Sequence, residues 1–549
     1  MCRNYAHPVR SENNDNKAAI MYSSQTKKTT VIIVTWLILG LALVVRLLIS
    51  GQFLLVPDEA NYWQWSRYLD IGYHDHPPMI AWGIWLATRL FGHTEFAVRL
   101  PTILGISIAS GYLCLLTARW FSWRTALQVA LLSQVILLLN GASLIATPDG
   151  MLLPCWAAAC YHAATSLERD TLPQWLFTGI WFGLGLLSKY TMLLFLPSLF
   201  FCMLFTGAYR KRLLTYKPWL GLLTGFLLFT PVVLWNAQNN WVTFRHVLFQ
   251  GGVDDSTFFT LGYMADFFGS QAALVSPIIF LFILAGWGTG WYSARLEHKK
   301  ASFLIWMSLT SFVVFILLAF HVRIYGNWPA PAYLTALILI AALYSPGQVG
   351  EPAARHRLWN CGVGLAFFVS AIIMSQLLYP LFPLQLKLEP PLLSGTIELD
   401  LSRVAREIDG WDELAKRVEQ TRKEMERSED TFVFGLRYQF ASELAFYIEG
   451  QPRTVSINRW SRPNVYDFWF KDSMLIGKDA IGIFEHEPVI TVLPEIFERV
   501  DPVVEITLQR NTTWFGEETV HTLYMARCYG FKGGLEWMPK NPGDVRSSL

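Results

Sequence analysis

Two adjacent carboxylates, Asp58 and Glu59, stand a few residues after the first long apolar run, in Pro57-Asp58-Glu59-Ala60-Asn61-Tyr62-Trp63. A carboxylate at a membrane surface keeps its hydration at little cost. The low-dielectric wall beside it can tune its basicity. The segment runs on to His74-Asp75-His76-Pro77-Pro78, with Tyr62, Trp63, Trp65, Tyr68 and Tyr73 crowded into it as in an interfacial element. Further reactive types recur at later boundaries of apolar runs: Asp149 in Thr147-Pro148-Asp149, Lys189, Arg245 and His246, then His321, Arg323 and Tyr325 before Trp328-Pro329. Gathered at one membrane face, these groups suit a reaction on a phosphate-bearing lipid. Carboxylates deprotonate an acceptor hydroxyl or amine; lysine and arginine hold a phosphate and stabilise it as it leaves.

Each residue also has a plainer reading. Asp58 and Glu59 suit the start of a helix, where acids are favoured. Asp149 suits the same place on the next span. Lys189 and Arg323 suit snorkelling anchors. His74 and His76 read as structural before they read as metal ligands.

The elements that must position these residues are membrane spans. The chain has 549 residues, 53% hydrophobic and 16% charged, against about 25% charged in soluble proteins. A net charge of +2 gives no electrostatic footprint for nucleic acid. Of seven cysteines, five lie in apolar runs and none forms a C-x-x-C, so neither a disulfide framework nor a zinc finger is expected. Uncharged runs predict spans near 31–50, 98–118, 125–143, 147–165, 174–188, 190–206, 218–235, 271–293, 302–320, 328–345 and 359–380. A single helix over 174–206 would be roughly 50 Å long against about 30 Å of hydrocarbon, so two spans turning at Ser188-Lys189-Tyr190 are expected. The total is about eleven. That count puts the basic clusters, such as Arg210-Lys211-Arg212 and Lys299-Lys300, in the cytoplasm with the tail 1–30.

The same count places the loop 51–96 outside, with surface helices expected over 58–69 and 77–91. Residues 381–549 are richer in charge. They predict a small outer α/β domain, with a helix over 411–427 and strands at 433–435, 454–457 and 480–484, joined through a proline-rich linker 380–391. The organisation expected is thus a mainly α, polytopic transmembrane domain (31–380) and a soluble extracytoplasmic domain.

Taken in order, Pro57-Asp58-Glu59, His76-Pro77-Pro78, Phe91-Gly92, Ala97-Val98-Arg99-Leu100-Pro101, Thr147-Pro148-Asp149 and Gly183-Leu184-Gly185-Leu186-Leu187-Ser188-Lys189 resemble the GT-C-fold glycosyltransferases. The nearer resemblance is to the protein O-mannosyltransferase group and its bacterial relatives, including the aminoarabinose transferase of lipid A. It covers roughly residues 50–240, with a glycosyltransferase core over 77–240. The resemblance implies a polyprenyl-phosphate-linked sugar donor, an outer active site in the cytoplasmic membrane, Asp58 as base with Glu59 beside it, and Asp149 as second acid. It leaves a divalent metal on Asp58, Glu59 and Asp149 as an option, since some relatives hold one and others do not.

Two positions depart from the aminoarabinose branch. His76 stands where that branch has lysine, and Gln250 is followed by Gly251 and Gly252 where it has a phosphate-binding basic residue. Arg245 or Arg323 is then expected to substitute, with His76, Lys189, His246 and Tyr325 completing substrate binding. Single-sugar transfer to a glycan, lipid or protein acceptor follows. The rival class is a transporter or flippase of a lipid-linked solute, which places its ionisable groups near the midplane, often within repeats. A third is a sensor whose outer domain binds a glycan.

Overall fold

The computed structural model describes residues 12–251, 260–346, 352–388, 397–457, 464–486 and 493–534. Parts of the N-terminal tail and of the linker 380–391, and Gly252, lie outside them. The first half is helical: α1 (Glu12–Ile49), α2 (Pro57–Arg67), α3 (Met79–Phe91), α4 (Glu95–Trp120), α5 (Trp123–Val135), α6 (Leu137–Leu144), α7 (Pro148–Arg169) and α8 (Leu172–Ser188). There follow α9 (Phe195–Phe205), α10 (Gly207–Arg210), α11 (Tyr216–Gln238), α12 (Val242–Gln250), α13 (Gly262–Val275), α14 (Pro277–Thr289), α15 (His298–Leu318), α16 (Ala330–Tyr344) and α17 (Ala353–Leu378).

Local chemistry sets the boundaries. Thr94 caps α4 by accepting from the Ala97 N–H, and Ser122 caps α5 by accepting from Thr125. Pro148 opens α7 at a position where its missing N–H costs nothing. Helices α8 and α11 pack backbone to backbone through Gly179, Gly183, Gly221 and Gly225; a Cβ on Gly179 would collide with the Gly221 carbonyl. Small residues four apart permit this approach in membranes, where packing replaces the hydrophobic drive.

Five described helices are long and apolar enough to cross a membrane, and counting each of three bent pairs as one span gives eight. The chain is a multi-pass membrane protein. The turn at Lys189 falls where helix length demanded it: α8 stops at Ser188 and Lys189 is extended. Two of the three bent pairs break an expected span internally. The stretch 125–143 breaks at Ile136 and bends by 63°. The stretch 271–293 is interrupted at Ser276, with φ of 80°, where Pro277 starts a new helix and α13 and α14 meet at 108°. Pro277 has no N–H to continue the ladder, so the chain turns.

Beyond α17 lie the paired strands β1 (Gln385–Leu388) and β2 (Ile397–Asp400), the helices α18 (Ser402–Ile408) and α19 (Trp411–Lys423), then β3 (Thr431–Gly435), α20 (Tyr438–Tyr447), β4 (Thr454–Ser456) and α21 (Tyr466–Trp469). The strands β5 (Asp479–Phe484), β6 (Phe497–Val500), β7 (Val504–Thr512) and β8 (Gly516–Phe531) complete a six-stranded mixed sheet, ordered β4-β3-β5-β8-β6 with β7 also on β8. Strand β3 runs parallel to β4 and β5, while β8 runs antiparallel to its partners. Alternation along β3 sends Val433 toward Leu414, Val418 and Leu444, and Phe432 and Phe434 toward Phe484 and Phe497.

Helix α20 packs directly on α2. The aromatic residues expected at a lipid interface are therefore inside the protein: Trp63 and Trp65 are fully buried, and Trp63 meets Phe446 edge-on at 4.9 Å. The expected surface helix over 58–69 is covered by chain from the C-terminal third.

Candidate active site

The two neighbouring acids part company at the start of α2. Glu59 is fully buried and Asp58 is exposed. Glu59 reaches back to accept from the Val56 N–H, and accepts from the Ala146 N–H at 2.8 Å. Arg99 of α4 grips the same carboxylate from Nε at 2.9 Å and Nη2 at 2.6 Å. The remaining Arg99 donors go to the carbonyls of Ser50, Phe53 and Leu54. All five guanidinium donors are thus used. The pair ties the end of α1, the start of α2, α4 and the approach to α7 into one knot. Glu59, expected as a catalytic acid or metal ligand, does not line the cleft of Asp58: its carboxylate accepts four hydrogen bonds, two of them from Arg99, as a structural ion-pair partner does.

Asp58 opens onto a cleft of about 230 Å³, lined also by Asn61, Tyr62, Asp75, His76, Asp149, Lys189, Gln250, Tyr325, Asn327 and Tyr438. Lys189 donates to both Asp149 oxygens at 2.8 Å, and Asn327 Nδ2 donates to Oδ2 at 2.7 Å. Asp149 stands in the first turn of α7 without being its N-cap, and Lys189 sits at the break after α8. The Asn61 Oδ1 atom is buried with no hydrogen-bond partner among the described residues, and so offers an acceptor to a ligand hydroxyl. Burial pushes the Tyr62 phenol far above its ordinary value, reinforced by Asp58, Tyr438, Asp75 and Asp149. It therefore stays a neutral donor.

Of the expected site residues, Asp58, His76, Asp149, Lys189 and Tyr325 come together here. The arginines do not. Arg245 is exposed on α12 away from the cleft, and Arg323 is 69% exposed beside Asp266 at 3.7 Å. Neither lines the cleft, whereas Gln250 does. His246 lies 3.3 Å from Asp75, which also meets His74 at 3.0 Å. These three, with ligand atoms all within 4.8 Å of one another, are the described group able to hold a cation. Asp58, Glu59 and Asp149, the optional metal set, do not form such a group among the described residues: Glu59 bonds Arg99, and Asp149 is engaged by Lys189 and Asn327. Tyr438 and Asn327 were absent from the sequence-based expectations. Asn327 directly precedes the Trp328-Pro329 pair, which marked the boundary; nothing local marks Tyr438.

Residues 75–235 match the family model described as dolichyl-phosphate-mannose-protein mannosyltransferase. The chain is 28% identical over 346 residues to the lipid A galacturonosyltransferase RgtD of Rhizobium johnstonii, covering 60% of this chain and 67% of that one. It is 29% identical over 225 residues to the undecaprenyl phosphate-alpha-4-amino-4-deoxy-L-arabinose arabinosyl transferase of Pectobacterium atrosepticum, covering 38% of this chain and 39% of that relative's length. Among solved structures, ArnT from Cupriavidus metallidurans bound to undecaprenyl phosphate superposes with a TM-score of 0.58 at 14% identity, over 92% of this chain and 99% of that one. The resemblance read from the ordered motifs is borne out: the chain has the GT-C-type fold seen in ArnT, and its residues 75–235 are similar to the mannosyltransferase family model.

Proposed function

We propose that this chain is a membrane glycosyltransferase that moves one sugar from a polyprenyl-phosphate-linked donor to an acceptor at the outer face of the cytoplasmic membrane. The carrying observation is a single cleft that joins an exposed carboxylate, Asp58, to a lysine-held one, Asp149, beside His76 and Tyr325. Asp58 takes the proton of the acceptor nucleophile, which attacks the anomeric carbon opposite the phosphate. The C–O bond to the lipid phosphate breaks, and the departing charge is met by the Lys189 ammonium, with His76 and Tyr325 as further donors. A single displacement inverts the anomeric configuration, by analogy with inverting glycosidases. A lipid A-like glycolipid is the acceptor class that the similarity to RgtD favours.

The topology that serves this reading has about eleven spans, the N-terminal tail in the cytoplasm and residues 381–549 outside. It rests on the placement of basic clusters at one face. The transporter reading gains no support, since the acids of the cleft sit at helix starts and not on midplane unwound repeats.

The test uses the purified protein in lipid with a polyprenyl-phosphate sugar donor and a glycolipid acceptor. Asp58→Asn is expected to lower transfer by about 10²–10⁴-fold while donor binding persists. Full transfer by a normally folded Asp58→Asn protein would falsify the base assignment.

A further inference from the structure

We infer that Tyr438 is a positioning residue for Asp58, so that the C-terminal third of the chain supplies part of the catalytic apparatus. The inference rests on the glycosyltransferase reading above. The Tyr438 hydroxyl donates to Asp58 Oδ1 at 3.0 Å and lines the same cleft. It arrives from α20, 380 positions along the chain.

Three further bonds tie α2 and its approach to α20, to the loop after it and to α21. Tyr447 Oη accepts from the Leu55 N–H at 2.7 Å, just ahead of α2. Gln64 Nε2 donates to Tyr466 Oη at 3.2 Å. Arg67 donates to the Gln451 carbonyl at 2.9 Å. Tyr447 holds the end of α20 ahead of α2, and Tyr466, which also meets Ser442 of α20 at 2.9 Å, links α20 to Gln64 of α2. A phenol on one carboxylate oxygen orients the other toward the acceptor and favours the ionised base. Other titratable groups around Asp58 among the described residues include Tyr62 on the same helix, Asp75 and His76 from the following loop, Asp149 and Lys189 across the cleft, and Glu407 of α18. From α20, the Tyr438 hydroxyl makes direct contact with the base.

The experiment compares wild-type protein with Tyr438→Phe and Tyr447→Phe, all full length in lipid. Two readouts are taken. One is the pH profile of sugar transfer. The other is the pH titration of the Asp58 carboxyl by infrared difference spectroscopy, assigned with Asp58→Asn. Tyr438→Phe is expected to lower kcat about tenfold, to leave the donor KM near wild type, and to move the Asp58 titration to higher pH. Tyr447→Phe loosens the same helix but leaves that titration in place. An unmoved Asp58 titration in Tyr438→Phe overturns the inference, as does an equal movement in Tyr447→Phe. Absence of transfer by the wild type would sink the glycosyltransferase reading alone, because the infrared titration judges the contact without turnover.

Discussion

Two carboxylate–cation pairs stand close together in the fold and behave as opposites. Glu59–Arg99 is wholly buried, with all five guanidinium donors spent, and neither residue lines the cleft. Asp149–Lys189 is nearly as buried, but it forms a wall of the cleft. An ammonium carries three donors, and among the described residues Lys189 spends two on Asp149. The first pair holds helices and loops in place. In the proposed mechanism the second keeps a cation where a departing phosphate can use it. Burial alone therefore does not separate scaffold from site; the presence of an aqueous face does.

Breaking the scaffold pair should have the largest effect. Arg99→Ala leaves Glu59 charged and enclosed, at a cost of about 3–5 kcal/mol. The expected result is loss of folded protein in detergent, read by yield and by size-exclusion profile. Lys189→Ala attacks the other pair, where the cleft lets water reach Asp149. It is expected to yield folded protein with transfer reduced about 10²–10³-fold. If both variants unfold alike, the division of roles between the pairs is wrong.

The smallest effect concerns Glu443, on the face of α20 near both Glu59 and Arg99. Both its oxygens are buried without a hydrogen bond among the described residues. Burial, then Glu59, pushes its carboxyl well above the ordinary value of 4.5. The native state therefore holds a proton that the unfolded chain releases, and the stability this brings is full below pH 4.5 and lost as pH rises toward the native value. Glu443→Gln should flatten that decline. Its melting temperature should match wild type near pH 4 and exceed it at pH 8 by about 2–4 °C.

The sequence carried much of the architecture because lipid imposes hard lengths. The turn at Lys189 followed from helix rise against bilayer thickness, and Ser276-Pro277 held an equally plain signal that hydropathy averaging smoothed over. The site was less evenly legible. Asp58, Asp149 and Lys189 announced themselves as polar residues at span boundaries. Which of two adjacent acids faces solvent depends on a partner 40 residues away, Arg99, visible in the motif run but without a stated role. Arg245 and Arg323 carried the right charge at the right boundary, yet their helix and loop turn them outward. Tyr438 had no local signature, because its meaning comes only from the docking of α20 on α2.

That docking has a consequence for biosynthesis. The helix that covers α2 is translated after all the spans have been delivered to the membrane. A nascent chain thus carries its acidic loop for most of its synthesis without the hydroxyl that aligns it. With Tyr438 in the role inferred for it, termination before that residue leaves an inserted but poorly aligned product, and the order of translation withholds full reactivity from an unfinished molecule.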